Sequence, residues 1–171
     1  GRPVETAMAA AHGARLGPTA RIGSLRRLIA RVDWDVVVLQ DFSLTAISPW
    51  DAFWSERALE ELGALAAPAR VVLFPPLVRA AGHPLYRGEA GLLERAPASP
   101  GAFTEVNTAY YGRIARENGY TLAPLGPAWL AAMEAGRPVF AEDGHHASPE
   151  GAALVARVLW ETIAPLLPSR G

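Results

Sequence analysis

The sequence contains neither cysteine nor lysine, and it has no long run of apolar residues. Without cysteine the chain can form no disulfide, no thiolate metal site and no cysteine nucleophile, and its redox compartment stays undetermined. A membrane-spanning helix needs about 18 or more consecutive apolar residues, so we expect none. The formal net charge of −1 provides no electrostatic reason to expect nucleic acid as a partner.

At 171 residues, half of them hydrophobic, the chain is long enough to form one domain with a substantial core. Four apolar segments are typical of strands, and DVVVLQ has the continuous β-branched character of a strand covered on both faces. The predicted strands span 4–10, 35–40, 70–76 and 120–125. Helical spacing and helix-capping residues predict helices over 22–32, 49–67, 103–118, 126–136 and 148–167.

This alternation of strands and helices predicts a three-layer α/β/α sandwich around a parallel sheet with right-handed crossovers. In the helix at 49–67 we expect the core-facing side chains to be Phe53, Ala58, Leu62 and Leu65. Residues 77–101 are rich in Gly, Pro and Arg and are too long for an ordinary connection, so they predict a surface excursion near a site. Sites in such sheets form at the carboxyl ends of the strands.

The decapeptide EDGHHASPEG (142–151) carries the strongest chemical pattern in the chain. Asp143 and His146 are three residues apart at a helix entrance, where a carboxylate can turn back to accept from the imidazole Nδ1–H. That contact fixes the tautomer and leaves Nε2 available as a general base. Taken alone, the pattern is better explained by a turn aspartate beside solvated histidines. Ser148 is the expected N-cap of the helix that follows.

Two neighbouring histidines also raise the alternative of a metal-dependent hydrolase that uses His145, His146 and Asp143. This is the weaker interpretation, because adjacent loop residues point apart and no further cluster of His or carboxylate residues supplies a third well-placed ligand. In the catalytic interpretation His145 has no role, and no metal is expected.

Four segments together resemble the SGNH (GDSL-type) hydrolases. DGHHASPEGAALVA (143–156) resembles the last block of that family, an Asp-x-x-His followed by a small or Pro-Ser segment and a helix. GRPVETAMAAAHGARL (1–16) resembles its second strand and the loop with an oxyanion-hole glycine. WDVVVLQDFS (34–43) resembles the third strand of a subgroup with a Gln-containing loop, and 107–129 resembles the helix and strand before the last block.

The resemblance implies serine ester hydrolysis on a flavodoxin-like sheet, without a cofactor, acting on a small-molecule or carbohydrate ester. It makes His146 the base and Asp143 its orienting partner. It also makes the Gly13 N–H and, with less support, the Gln40 side chain the donors to the oxyanion. A preorganised donor of this kind is worth roughly 2.7–4 kcal/mol in acyl transfer.

The family's nucleophile follows its first strand in a Gly-Asp-Ser or Gly-Asn-Ser motif, which this sequence does not contain. We therefore expect residues 1–171 to be a single SGNH-like domain without its first strand, with the nucleophile on another segment of the same protein. Ser43 is a weak candidate nucleophile, better explained by local backbone bonding. The alternative is a non-catalytic binding or scaffold module. Trp50 and Phe42 could shape an acyl or sugar pocket.

Overall fold

The protein is described by a computed structural model over residues 4–10, 13–87 and 96–168. Within this part of the chain one parallel sheet has the strand order β1 (Val36–Gln40), β2 (Arg70–Phe74), β3 (Thr121–Leu122). The helices are α1 (Leu16–Thr19), α2 (Gly23–Ala30), α3 (Pro49–Ala66), α4 (Pro100–Asn118), α5 (Leu125–Glu134) and α6 (Pro149–Ile163). Short 3-10 helices lie at Thr45–Ile47, Pro84–Arg87 and Ala164–Leu166. No helix described here is long and apolar enough to cross a membrane.

The sheet is covered on both faces. Successive side chains of a strand point to opposite faces, and β2 supplies both cores in this way. Val71 and Leu73 lie in a core with residues of α2, α3 and α4, whereas Val72 lies in a second core with residues of α5 and α6. The predicted arrangement of helices on both sides of a parallel sheet is therefore confirmed.

The five predicted helices are present with small shifts at their ends. In α3 the expected core face is confirmed for Ala58 and Leu62, which are buried, and Leu65 is partly buried. The expectation for Phe53 is wrong, because this side chain is 48% exposed. Five residues separate Phe53 from Ala58, a step that rotates it well away from the buried face of a helix. Its ring instead lies beneath the Arg57 guanidinium, 4.5 Å from the ring centroid.

The predicted strand at 4–10 is also wrong, because this segment has no regular secondary structure and is exposed throughout. Val4 is 47% exposed and Met8 is 88% exposed. An apolar run becomes a strand only where a neighbouring strand takes up its backbone N–H and C=O groups. In the described part of the chain β1 pairs with β2 alone. The outer edge of β1 is therefore open, and Val38 in this strand is 39% exposed.

The strands β2 and β3 are shorter than predicted. β2 stops at Phe74, directly before Pro75 and Pro76, which have no N–H to donate to a neighbouring strand. β3 is reduced to two residues, although the Ala123 N–H still donates to the Leu73 carbonyl at 3.0 Å. The carboxyl end of β2 leads into the segment that begins at Pro75. The carboxyl end of β3 leads into α5, which precedes the loop of the site described below.

Candidate functional site

The loop between α5 and α6 folds into a tight turn. The Ala141 N–H donates to the His146 carbonyl at 2.9 Å, and the Gly144 N–H donates to the Ala141 carbonyl at 3.0 Å. Gly144 has a left-handed backbone with φ of 62°, which glycine adopts without the steric cost of a Cβ. A β-bridge between Phe140 and Ala147 closes the base of the turn. The side chains on either side of Gly144 are thereby brought together.

Asp143 holds His146 through both backbone and side chain. Its Oδ1 accepts from the backbone N–H groups of His145 at 2.8 Å and of His146 at 2.9 Å, and its Oδ2 lies 2.6 Å from His146 Nδ1. A carboxylate beside Nδ1 places the ring proton on that atom and leaves Nε2 as an acceptor. The hydrogen bond from His146, together with the two backbone donors, holds the pKa of Asp143 well below its ordinary value. The structure therefore has the contact that the Asp-x-x-His spacing predicts.

The start of α6 anchors this loop. Ser148 Oγ accepts from the Gly151 N–H at 3.0 Å and donates to the Pro138 carbonyl at 2.5 Å, and Pro149 occupies the first turn. The predicted N-cap role of Ser148 is therefore confirmed. Gly151 lies so close to the Val139 carbonyl that an added Cβ would be 2.1 Å from that oxygen. Only glycine permits this approach of α6 to the segment before the loop.

Arg79 connects this loop to the segment that follows β2. The Ala80 N–H donates to the Gly144 carbonyl at 2.9 Å. The Arg79 Nη2 lies 3.2 Å from Ser43 Oγ and 3.4 Å from His145 Nε2, and the whole residue is only 7% exposed. Burial lowers the pKa of its guanidinium. We did not predict Arg79 from the sequence, in which it is one of several arginines in a long irregular segment.

His145 is more engaged than the sequence suggests. Its ring stacks on that of His146 with centroids 4.4 Å apart and an interplanar angle of 19°, and it meets the His83 ring edge-on at 6.1 Å. Burial and the neighbouring Arg79 charge lower the pKa of His145. The predicted surface excursion that begins at residue 77 thus supplies His83 and Arg79 to the site. Residues 88–95 of that excursion lie outside the described residues.

Ser43, the weak candidate nucleophile, is held by Arg79, and its role stays a prediction. Its Oγ accepts from Arg79 Nη2, and no hydrogen bond joins its hydroxyl to the His146 ring. Over residues 4–10, 13–87 and 96–168, no serine hydroxyl is hydrogen-bonded to that ring. Ser148, the nearest serine in sequence, is committed to capping α6. Among the described residues, the Asp143–His146 pair therefore has no hydrogen-bonded serine.

Asp41 fixes the segments that carry the two expected oxyanion donors. Gln40 is exposed at the carboxyl end of β1, and Gly13 has a left-handed backbone (φ 62°) shortly before α1. Asp41 Oδ1 accepts from the Phe42 N–H at 2.7 Å and from the Leu16 N–H at 3.3 Å, which ties the residues after Gly13 to the end of β1. The roles of Gly13 and Gln40 as donors stay predictions.

The carboxylate of Asp41 is itself buried, with 8% exposure. Its Oδ2 accepts from the hydroxyls of Ser55 on α3 and Tyr111 on α4, the latter at 3.3 Å. Burial raises the pKa of Asp41 despite these donors. Sequence reasoning missed this residue, although a carboxylate directly after a buried strand is the signal that could have identified it.

A cavity of about 310 Å³ opens beside Asp41, between α1 and α3. The residues that line it include Asp41, Thr45, Trp50 and Trp54. The Trp50 side chain is 71% exposed. Trp50 thus lines a cavity and Phe42 does not, and the role of Trp50 in an acyl or sugar pocket stays a prediction.

The metal interpretation has no geometric support. In the described ranges, no group of three His, Asp or Glu side chains is arranged so that it could hold a metal ion. Asp143 points both carboxylate oxygens at donors within its own turn, and the rings of His145 and His146 lie face to face. The three residues thus do not converge on a shared centre.

Comparison with known proteins identifies a solved structure with a similar fold. No protein-family model matches the chain, and no curated protein sequence matches it. Among solved structures, a protein from Slackia heliotrinireducens, described as a candidate SGNH hydrolase, superposes with a TM-score of 0.69 and 29% sequence identity. The match covers 88% of this chain and 80% of the other. The chain therefore has an SGNH hydrolase-like α/β fold, and the neighbour's description indicates a hydrolase-like protein.

Proposed function

We propose that this chain carries the acid–base pair of an SGNH-type serine ester hydrolase, with His146 as base and Asp143 as its orienting partner. The observation that carries the proposal is the 2.6 Å contact between Asp143 Oδ2 and His146 Nδ1, with Oδ1 held by two backbone donors. This contact directs Nε2 away from the carboxylate, where it can accept a proton. An SGNH-like fold with this pair on the loop before its last helix favours acyl transfer over other hydrolytic chemistry.

In the proposed reaction His146 Nε2 removes the proton of a serine hydroxyl as its oxygen attacks the ester carbonyl. The negative charge that develops on the carbonyl oxygen is stabilised by the Gly13 N–H and the Gln40 side-chain amide. The imidazolium then gives its proton to the leaving alcohol, and an acyl-serine remains. Water, deprotonated by the same Nε2, releases the acid and regenerates the serine. Asp143 stays ionised throughout and holds the ring in one tautomer.

The attacking serine in this proposal comes from a segment that pairs with the open edge of β1. That edge has no neighbour in the part of the chain that the structure describes, and Val38 and Gln40 are exposed there. A parallel strand on this edge would end at the same rim as β1, which is where the loop after Gln40 lies. Ser43 is the weaker candidate, because its Oγ is bound to Arg79.

The substrate class that fits this proposal is a small-molecule or carbohydrate ester, with no cofactor. The cavity beside Asp41 has two tryptophans in its wall, Trp50 and Trp54. Aromatic faces of this kind pack against acyl chains and against the apolar faces of sugar rings. The proposal assigns this cavity to the acyl or sugar part of the substrate.

A serine-directed fluorophosphonate tests the proposal on the protein as its gene encodes it. We expect covalent labelling of one serine, located by mass spectrometry, and loss of labelling in His146→Ala. Glu142→Gln, which removes a charge from the same loop without touching the pair, is the matched control. Labelling at Ser43 would make that residue the nucleophile. Absence of both labelling and ester turnover would instead favour the non-catalytic binding module.

A further inference from the structure

Arg79 differs from the ion-paired arginines of this protein. Within the described part of the chain, the following arginines pair with carboxylates, and each is substantially exposed: Arg15, Arg26, Arg113, Arg137 and Arg157. Arg79 is only 7% exposed, yet across residues 4–10, 13–87 and 96–168 no carboxylate lies within ion-pair distance of it. The buried guanidinium is thus the one for which a counter-charge matters most, because burial removes the compensation that water gives to an exposed cation.

The contacts that the Arg79 side chain does make are neutral and long. Nη2 is 3.2 Å from Ser43 Oγ and 3.4 Å from His145 Nε2, whereas charge-assisted bonds are typically about 2.7–2.9 Å. Nη1 is buried and has no hydrogen-bond partner among the described residues. The Tyr86 hydroxyl bonds to the backbone of Arg79 rather than to its guanidinium. Within the described residues, the guanidinium therefore makes fewer hydrogen bonds than it can donate, and no carboxylate balances its charge.

These contacts direct Arg79 toward the proposed catalytic pair. His145, which faces Nη2, stacks on His146 at 4.4 Å. Ser43 Oγ accepts from Nη2, so its own O–H remains available to a further acceptor. An oxygen placed between Ser43 and His145 could accept from both Nη2 and the Ser43 hydroxyl. It would replace the long contact to His145 and supply the missing negative charge.

We propose that Arg79 and Ser43, beside His145, form a subsite for an anionic group carried by the substrate: a carboxylate, sulfate or phosphate. The inference rests on the proposed function in one respect, namely that the anionic group belongs to an ester substrate. The binding of an anion does not itself require turnover. It restricts the ester class to molecules with an acidic group close to the scissile bond. Arg79 is a binding residue in this proposal, and Ser43 is a hydrogen-bond donor to the anion rather than the nucleophile.

Titration of the ¹⁵N-labelled protein with sodium acetate, sulfate or phosphate tests the subsite, with sodium chloride at matched ionic strength as reference. We expect saturable amide shifts at Ser43, Ala80 and His145 for at least one of the three anions, and the strongest binder identifies the anionic group. Arg79→Gln should weaken that binding by about tenfold or more, the factor expected for loss of one charge-assisted hydrogen bond. The charge-matched Arg157→Gln, on the exposed face of α6, should leave it unchanged.

Loss of a buried arginine can unfold the chain, so Ser43→Ala serves as a second variant. It should also weaken the binding of the anion. The proposal is overturned if the wild-type protein shows no saturable shift at these residues. It is equally overturned if the shifts are spread over the exposed arginines, the result of an adventitious ion only, or if Arg79→Gln and Arg157→Gln bind equally well. None of these readouts depends on ester turnover, so failure of the subsite is distinguishable from failure of the hydrolase assignment.

Discussion

Replacing Asp143 by Asn should move the ring proton of His146 from one nitrogen to the other while keeping the shape of the turn. The Asn carbonyl oxygen can still accept from the two backbone N–H groups that now bond Oδ1 at 2.8 and 2.9 Å. The amide nitrogen would then face His146 Nδ1 at the position of Oδ2. An NH₂ group can only donate there, so Nδ1 must become the acceptor and the proton must move to Nε2. In that tautomer Nε2 cannot accept the serine proton.

We expect Asp143→Asn to lower kcat for a chromogenic acyl ester by about 10⁴, the size of the tautomer effect in an acyl-transfer triad. Long-range ¹H–¹⁵N NMR should show the ring proton of neutral His146 on Nδ1 in the wild-type protein and on Nε2 in the variant. Glu142→Gln is the control for the lost charge and should leave both readouts unchanged. A kcat within about tenfold of wild type for Asp143→Asn would refute the orienting role.

Three further outcomes follow from the same structure. Gly151→Ala should destabilise the fold by about 3 kcal/mol or more in denaturant unfolding, because its Cβ would lie 2.1 Å from the Val139 carbonyl; a loss under about 1 kcal/mol would contradict this packing. Asp41→Ala should cost about 3 kcal/mol in the same assay, since it leaves buried donors unpaired, and Asp41→Asn should cost less. The pKa of Asp143, followed by carboxyl ¹³C NMR, should lie below the ordinary aspartate value and rise in His146→Ala, because the His146 hydrogen bond is the main cause of its lowering. The pair accordingly stabilises the fold above the ordinary aspartate pKa and loses that contribution as the pH falls; an unchanged pKa in the variant would exclude the bond.

The sequence was sufficient for features that depend on local chemistry. The continuous β-branched run at 35–40 predicts β1, and Ser148 followed by Pro149 predicts the start of α6. The three-residue spacing of Asp143 and His146 predicts their contact, because a turn at a helix entrance leaves little freedom between such positions.

The features that the sequence did not predict depend on partners distant along the chain. The segment at 4–10 has the composition of a strand, yet it forms none, and no strand of the described residues pairs with it. Asp41 gathers donors from Leu16, Ser55 and Tyr111, and no local pattern shows that these will converge. Arg79 is buried against Ser43, which lies 36 residues earlier, and this pairing exists only in the folded chain.

His146 is the proposed base of a serine ester hydrolase. Turnover of a chromogenic acyl ester by His146→Ala, measured in the protein as its gene encodes it, is the decisive test of this claim. We predict a loss of about 10⁴-fold or more in kcat with KM little changed, because removal of a triad base leaves only the contribution of binding and the oxyanion donors. Turnover close to that of the wild-type protein would contradict the claim.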